Sequence, residues 1–301
     1  MKKYVFKRLI IAVVTIFVIL FVLYAMLEFM PGSPFNDEKM TEAQLRMLNQ
    51  KYGLDKPFFI RFFTYLKNML TGDFGISYAI QKNMPVADML GPRLLISLRL
   101  GLQAVAVGTV IGLVLGIVAA LRRDTWFDTL ATIVSVLGIS LPSFVFALGL
   151  SYMLGFKVKL FPLLYSTAEP GISSVLPTIS LSMFTIASIA RYARSEMVEV
   201  LASDYILLAD AKGISRMRLI LMHALRNALI GIITVMAPLV VNLMTGSLVV
   251  EKAFSIPGIG SFFITAIQRN DYNVILGISF IYSVMFIGVM LLVDILYSVI
   301  D

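Results

Sequence analysis

Six stretches of this chain are apolar for the length of a bilayer crossing: Leu9 to Met30, Leu94 to Leu121, Thr129 to Phe156, Gly171 to Ala190, Asn227 to Val250 and Tyr272 to Val293. The only charges inside them are Glu28 and Arg99, each near an end. In hydrocarbon no water satisfies backbone N–H and C=O groups, so runs of about 20 apolar residues are stable as helices that satisfy themselves. The expectation is an all-α polytopic membrane protein with six transmembrane helices. Composition agrees, with 59% hydrophobic and 14% charged residues, against about half and a quarter in soluble domains.

Charge placement orients the spans. Lys2, Lys3, Lys7 and Arg8 precede the first run, Arg122 and Arg123 follow the second, and Arg191 to Arg226 separates the fourth from the fifth. Basic connections stay on the cytoplasmic side. Six crossings then place both termini in the cytoplasm of a multi-pass protein in the cell (inner or cytoplasmic) membrane. Read as a signal peptide, the first run is about twice too long and has no small-residue cleavage site. The sequence divides into residues 1–30, the cytoplasmic N-terminus and first span; 31–93, an external helical segment; and 94–301, a five-span core carrying a cytoplasmic loop at 191–226.

The net charge of +7 is accounted for by cytoplasmic loops, with no nucleic-acid surface implied. The chain has no cysteine and one histidine, His223, which leaves no disulfide framework, thiolate site or His-based triad. A phosphate-binding G-x-x-x-x-G-K-[ST] loop is missing as well, so any ATP is bound by another chain. An intramembrane hydrolase would need a nucleophile paired with a base or a metal cluster. An ion-coupled secondary transporter, the main rival from a different class, would favour mid-membrane acids and internal repeats. Here the acids lie at span ends and no repeat is visible.

In the external segment, Pro31, Gly32 and Pro34 stop the first helix. Thr41 and Gln44 have capping-box spacing, with Met40 and Leu45 as a hydrophobic staple, and the helix they open should end near Gly53. After Pro57, FFIRFFTYLKNML is too short to span and suits packing on the membrane surface or on the spans beneath. Gly72, Gly75 and Pro85 mark turns. Gly101, Gly108, Gly112 and Gly116 recur at helical spacing in the second span, a pattern that admits a close helix neighbour. Gly138 and Pro142 predict a kink in the third span, and Pro177 lies in the fourth. In the fifth, Pro238, Asn242, Thr245 and Gly246 imply a helix facing protein or a wet path. The loop EKAFSIPGIGSFFITAIQRND has an IPGIG turn and an apolar stretch suited to a short surface or re-entrant helix.

The segment 191–226 is the long polar element of the second half. Its two ends are fixed by spans, so it forms a compact knob. Ser203 or Asp204 can cap a short helix, and Ala209 to Gly213 gives a turn of small residues. A helix of this length has little stability alone, and Arg216 and Arg218 are placed to meet an acidic partner or lipid head groups. Pushing on such a helix moves both flanking spans, which makes it a docking element for a separate motor rather than only a solvated basic loop.

At these residues the chain becomes recognisable. Ala209-x-Ala211-Lys212-Gly213, with Leu225 following at twelve residues from the glycine, resembles the EAA signature of binding-protein-dependent ABC importer permeases. DYILLADAKG joined to HALRNAL is similar to the oligopeptide, dipeptide and nickel permease branch. The generic signature has Glu at Leu207, Ala at Leu208 and Pro at Arg226. Pro31-Gly32, Tyr52 to Pro57, Gly72-Asp73-Phe74-Gly75-x-Ser77, Pro85-Val86, Phe254 to Gly260, Asp271-Tyr272 and Asp294 to Tyr297 resemble the first of the two permease subunits in that branch.

The resemblance implies a type I ABC importer permease fold and a heterodimer with a sister permease. It further implies two cytoplasmic ATPase subunits that bind ATP and Mg, an external substrate-binding protein, and a membrane-lipid environment. The chain itself would be no enzyme and hold no cofactor or metal. The coupling helix would lie at about Ser203 to Gly213, with Ser203, Asp204, Ala209, Ala211, Lys212, Gly213 and Arg216 meeting an ATPase. Closure of the ATPase pair would open the path outward, and hydrolysis would reopen it inward. Peptide cargo needs water or hydrogen-bond partners along that path. Ser140, Thr178, Ser182 and Asn242 are the candidates, each also readable as an intrahelical hydroxyl or amide. Nickel or metal-chelate cargo is the alternative within the branch. His223, a single imidazole at the cytoplasmic edge, reads as structural.

Overall fold

The helices expected from the apolar runs form, and several run further than the runs themselves. The computed structural model describes residues 2–29, 41–244 and 248–300. Fourteen α-helices follow one another among these residues, joined at one place by an isolated antiparallel bridge between Ile76 and Pro85. Helices α1 (Lys2–Glu28), α4 (Val86–Leu121), α7 with α8 (Pro170–Ser173, Val175–Leu201) and α14 (Tyr272–Ile300) include segments long and apolar enough to cross a membrane. A fifth candidate is the pair α5 (Trp126–Ser140) and α6 (Ser143–Leu150), the latter continued by a π-helical turn, Ser151–Lys157. The fifth expected span contains α11 (Leu225–Met244). Thr245 and Gly246 there lie outside the described residues, as do the side chains of Pro238 and Asn242.

Contacts gather the chain into two compact units, Met1–Ser97 with Pro257–Asp301, and Leu98–Ile256. In the first, α2 (Glu42–Tyr52) opens on the anticipated capping box: the Thr41 N–H donates to Gln44 Oε1 at 3.0 Å, and the Gln44 N–H donates to Thr41 Oγ1 at 3.4 Å. It closes at Gly53, whose φ of 67° is left-handed, a conformation glycine enters without a Cβ penalty. Pro31, Gly32, Pro34 and the staple residue Met40 lie outside the described residues.

Helix α3 (Phe58–Leu70) lies against α1 through aromatic edges. Phe62 packs on Phe17, Phe21 and Tyr24 with ring centroids 5.3 to 5.7 Å apart, the spacing at which offset and edge-on pairs are favourable. The Arg61 guanidinium pairs with the Glu28 carboxylate at the end of α1. The opposite face of α3 leaves Phe59, Ile60 and Phe63 exposed, as suits a helix at a lipid interface. Beneath, Leu27, Met89, Leu90, Ile259, Phe262 and Ile275 belong to the apolar core shared by α1, the start of α4, α13 (Ile259–Gln268) and α14.

Asp271 fastens this unit. Fully buried just before α14, its carboxylate accepts from Ser77 Oγ at 2.5 Å and from the backbone N–H groups of Tyr78, Ala79 and Ile80 at 3.0 to 3.2 Å. A buried carboxylate is tolerated when it collects several donors in this way.

In the second unit α8 is the central helix, buried over most of the stretch from Leu176 to Ala190. Helices α5, α6 and α11 pack on it. At Gly108, Gly112 and Gly116 the α4 glycine stripe performs the expected role. A Cβ at Gly108 would meet Thr185 at 2.7 Å, one at Gly112 the Ile186 carbonyl at 2.9 Å, and one at Gly116 the Ala190 carbonyl at 2.5 Å. These distances leave no room for a side chain, so α4 touches α8 nearly backbone to backbone. From α5, a Cβ at Gly138 would meet Ala187 at 2.6 Å.

Four expectations change. The second span's helix opens at Val86 rather than Leu94 and carries Pro92 within it. The kink at Gly138 and Pro142 is a break of 105° between α5 and α6. The fourth span's helix runs to Leu201, ten residues past Arg191, because RYARSEMVEVL contains good helix formers and buries Ala193 and Met197. Within the 251–271 loop, Glu251 to Ala253 are helical, in α12 (Leu248–Ala253).

Gly116→Leu is expected to lower the thermal unfolding midpoint of the detergent-purified protein, since overpacking a fixed contact costs about 1–3 kcal/mol. Gly149→Ala on α6, where an added Cβ meets nothing within 4 Å, should leave the midpoint unchanged or raise it, since alanine for glycine in a helix stabilises by up to about 1 kcal/mol. Equal midpoints for the two variants would contradict the close approach.

Candidate coupling site

Because α8 continues to Leu201, the knob is smaller than the polar stretch. It consists of Ala202 and Ser203, α9 (Asp204–Ala211), the turn Lys212 to Ser215, and α10 (Arg216–Arg218), which leads through a π-helical turn, Leu219–Ala224, into α11. Ser203 sits at the N-cap, but its hydroxyl donates backward to the Val200 carbonyl at 2.6 Å and makes no capping bond to α9. Asp204 places its negative charge in the first turn, where the helix dipole favours it. At the other end the Gly213 N–H donates to Asp210 O at 2.8 Å and the Ile214 N–H to Ala209 O at 3.3 Å. This closure needs φ of +77° at Gly213, a left-handed conformation that penalises any Cβ.

Helix α9 has an inner and an outer side. Ile206 and Ala209 are buried in a cluster with Met197, Leu219, Ile220 and Ala224, which joins the helix to both of its arms. Leu207 and Leu208 are 62% and 57% exposed, Met217 nearby is 65% exposed, and Asp204, Asp210, Ala211, Lys212 and Arg216 are exposed around them. Asn227 Nδ2 donates to Tyr205 Oη and to the His223 carbonyl, both at 3.0 Å, tying α9 to the first turn of α11. His223 itself lies in the π-helical turn. The result is a short helix held from behind and apolar in front, ringed by charge.

The neck of the knob carries an ion pair the sequence reading missed. Arg194 on α8 donates from Nε to Asp128 Oδ1 at 2.5 Å and from Nη2 to Oδ2 at 2.7 Å, and the Asp124 N–H adds a bond to Oδ2 at 3.1 Å. The bidentate fork fixes the start of α5 against α8. Glu196, one half-turn on, lies against α11, where a Cβ at Gly231 would stand 2.6 Å from its carboxylate. Each pair is far apart in sequence, and no local pattern signals it.

The candidate path residues do not gather into one cluster. Ser140 is exposed at the end of α5, beside the break. Thr178 Oγ1 is 3.3 Å from Gln103 Oε1 on α4, a partner the sequence reading did not name. Ser182 is buried and donates within its helix to Ile179 O at 2.9 Å. The Asn242 side chain lies outside the described residues.

An all-α polytopic membrane protein whose long helices carry a docked, outward-facing short helix has the form of a transport permease. The chain belongs to the binding-protein-dependent transport system inner membrane component family, whose description matches residues 112–301, while that of the family's N-terminal region matches residues 1–91. Its full length aligns with the dipeptide transport system permease protein DppB of Lactococcus lactis subsp. cremoris, 43% identical over 98% of that protein. DppB of Bacillus subtilis is also 43% identical, over 97% of its length. The oligopeptide transport system permease protein OppB of Haemophilus influenzae is 36% identical over 98%. The EAA-like residues therefore sit in a chain of that family, and the departures from the generic signature, Leu207, Leu208 and Arg226, all occupy exposed positions.

In a double-mutant cycle, Asp128→Ala and Arg194→Ala are expected to couple by about 1 kcal/mol or more, above the usual value for exposed pairs. Unfolding midpoints of the four proteins measure it. Strict additivity would mean the fork contributes nothing to the neck.

Proposed function

We propose that this chain is the first permease subunit of an ATP-driven, binding-protein-dependent importer of dipeptides or oligopeptides. Full-length similarity to permeases named for dipeptide and oligopeptide transport supports the cargo class. The observation that carries the mechanism is α9, an exposed apolar helix seated on the ends of both α8 and α11.

In this reading six spans cross the inner membrane with both termini in the cytoplasm, and a sister permease completes the translocation path. Two cytoplasmic ATPase subunits bind ATP and Mg and hydrolyse the nucleotide, and an external binding protein delivers the peptide. Leu207, Leu208 and Ala211 enter an apolar groove on one ATPase, while Asp204, Lys212 and Arg216 fix the register at its rim. Covering what the two leucines leave exposed contributes about 2–4 kcal/mol of transfer free energy. Force on α9 reaches α8 through Ile206 and Ala209 and reaches α11 through Asn227. The gate moves because the two ATPase states contact α9 differently, and a load shifts an equilibrium only through such differences. Along the path, Ser140, Thr178 and Asn242 offer hydrogen bonds to cargo, whereas Ser182 contributes chiefly to α8 packing against α4.

Uptake of a labelled dipeptide and binding-protein-stimulated ATPase activity, measured on the reconstituted complex, test this reading. Leu207→Asp with Leu208→Asp should abolish ATPase retention on purification. Gly213→Val should keep assembly in the membrane while lowering uptake per ATP by about tenfold, as expected if a strain of 1–2 kcal/mol displaces the helix. Full coupling in both variants, or transport by the chain alone without nucleotide, would overturn the assignment.

A further inference from the structure

The first unit contains a cavity of about 410 Å³ that the coupling account does not use. It is walled by α1, α2, α3, the 72–78 turn and the start of α14. Its size falls at the lower end of small-molecule sites, roughly 300–1,000 Å³, which suits a ligand of one or two residues.

The walls are pinned independently of any ligand. Tyr52 Oη bonds Asn83 Oδ1 at 2.9 Å, holding α2 to the turn region, and the Arg61–Glu28 pair holds α3 to α1. The Asp271 carboxylate and the Asn273 amide, which donates to Ile76 O at 2.8 Å, hold the turn to α14. Such a preformed polar cavity loses little entropy on binding.

Its charges are unevenly used. Arg61 and Glu28 neutralise each other. Lys56 and Asp73, which also line the cavity, have no ion pair among the described residues. The Lys56 stem folds over Gly53, where a Cβ would lie 3.9 Å from Nζ. Asp73 spends one oxygen on the Gly75 N–H at 2.8 Å and keeps the other. Asn49 adds an amide to the wall, and burial pushes the Tyr65 and Tyr78 phenols above the usual tyrosine range, so they remain protonated.

We propose that this cavity is a binding site, carried by the permease itself, for a small zwitterion: an amino acid or dipeptide whose carboxylate meets Lys56 and whose ammonium meets Asp73. Asn49 faces the intervening amide or side chain. The peptide-import reading enters only in the choice of ligand; the site's charge pattern and size stand apart from it. Lys56 and Asp73 are exposed at the mouth of the cavity, so preference for an uncapped ligand comes from the two charge-assisted bonds that its ends add and a capped molecule does not make.

The test is equilibrium binding of radiolabelled dialanine to the intact complex in lipid nanodiscs, without nucleotide or binding protein. Saturable binding is expected, displaced by unlabelled dialanine and not by N-acetyl-dialanine amide. Lys56→Gln and Asp73→Asn should each weaken it about tenfold, the loss of one charge-assisted bond. Asp73→Asn retains the side-chain oxygen that accepts from Gly75, so the turn is preserved. Absence of saturable binding, displacement by the capped compound, or affinity unchanged in both variants would overturn the site. Failure of ATP-driven uptake in the same complex would instead sink the import reading and leave the binding result standing.

Discussion

Near-contact of backbones along α4 and α8 is the constraint on which the second unit depends. Gly108, Gly112 and Gly116 bring α4 so close that the facing α8 carbonyls and small side chains leave no room for a Cβ. In lipid, where burying apolar surface between helices gains little, such packing replaces the hydrophobic effect as the source of association. Gly138 repeats the device from α5. With α4, α5, α6 and α11 gathered on it, α8 is held along its length.

The knob is built on the end of that helix. Eight residues of helix would not hold together alone, but α9 is backed by side chains from both arms and closed by a left-handed glycine. Its inward positions are small or branched, Ala209 and Ile206, and its outward ones are leucines. The Asp128–Arg194 fork ties the neck to α5 as well, so the base of the knob is joined to three helices, α5, α8 and α11. Leaving apolar surface in a polar setting is costly in isolation and is stable when a partner covers it.

How much of this was legible depended on whether the signal was local. Thr41, Gln44 and Gly53 announced both ends of α2, because caps are satisfied within a turn. The α4 glycines announced a close neighbour through spacing, although spacing does not say which helix that is. Gly138 and Pro142 marked the break but not its 105°, since the angle is set by packing against α8. Charge misled at Arg191: it ends the uncharged run, and a helix has no reason to stop where the uncharged run does. Among the candidate site residues, Ala209 and Gly213 were readable from size and turn geometry. The Thr178–Gln103 contact and the Asp128–Arg194 fork join residues 75 and 66 positions apart, and periodicity carries no information at that range.

The central claim is that the outer face of α9 seats on a nucleotide-hydrolysing partner. The chain has no native cysteine, so Leu208→Cys introduces a single thiol at that face, and a short bifunctional thiol–amine reagent can be applied to the complex in native membranes. The account predicts a crosslink to an ATPase subunit whose yield changes when ATP is added. A crosslink that forms only to lipid or to the sister permease, with nucleotide-dependent transport intact, would contradict it.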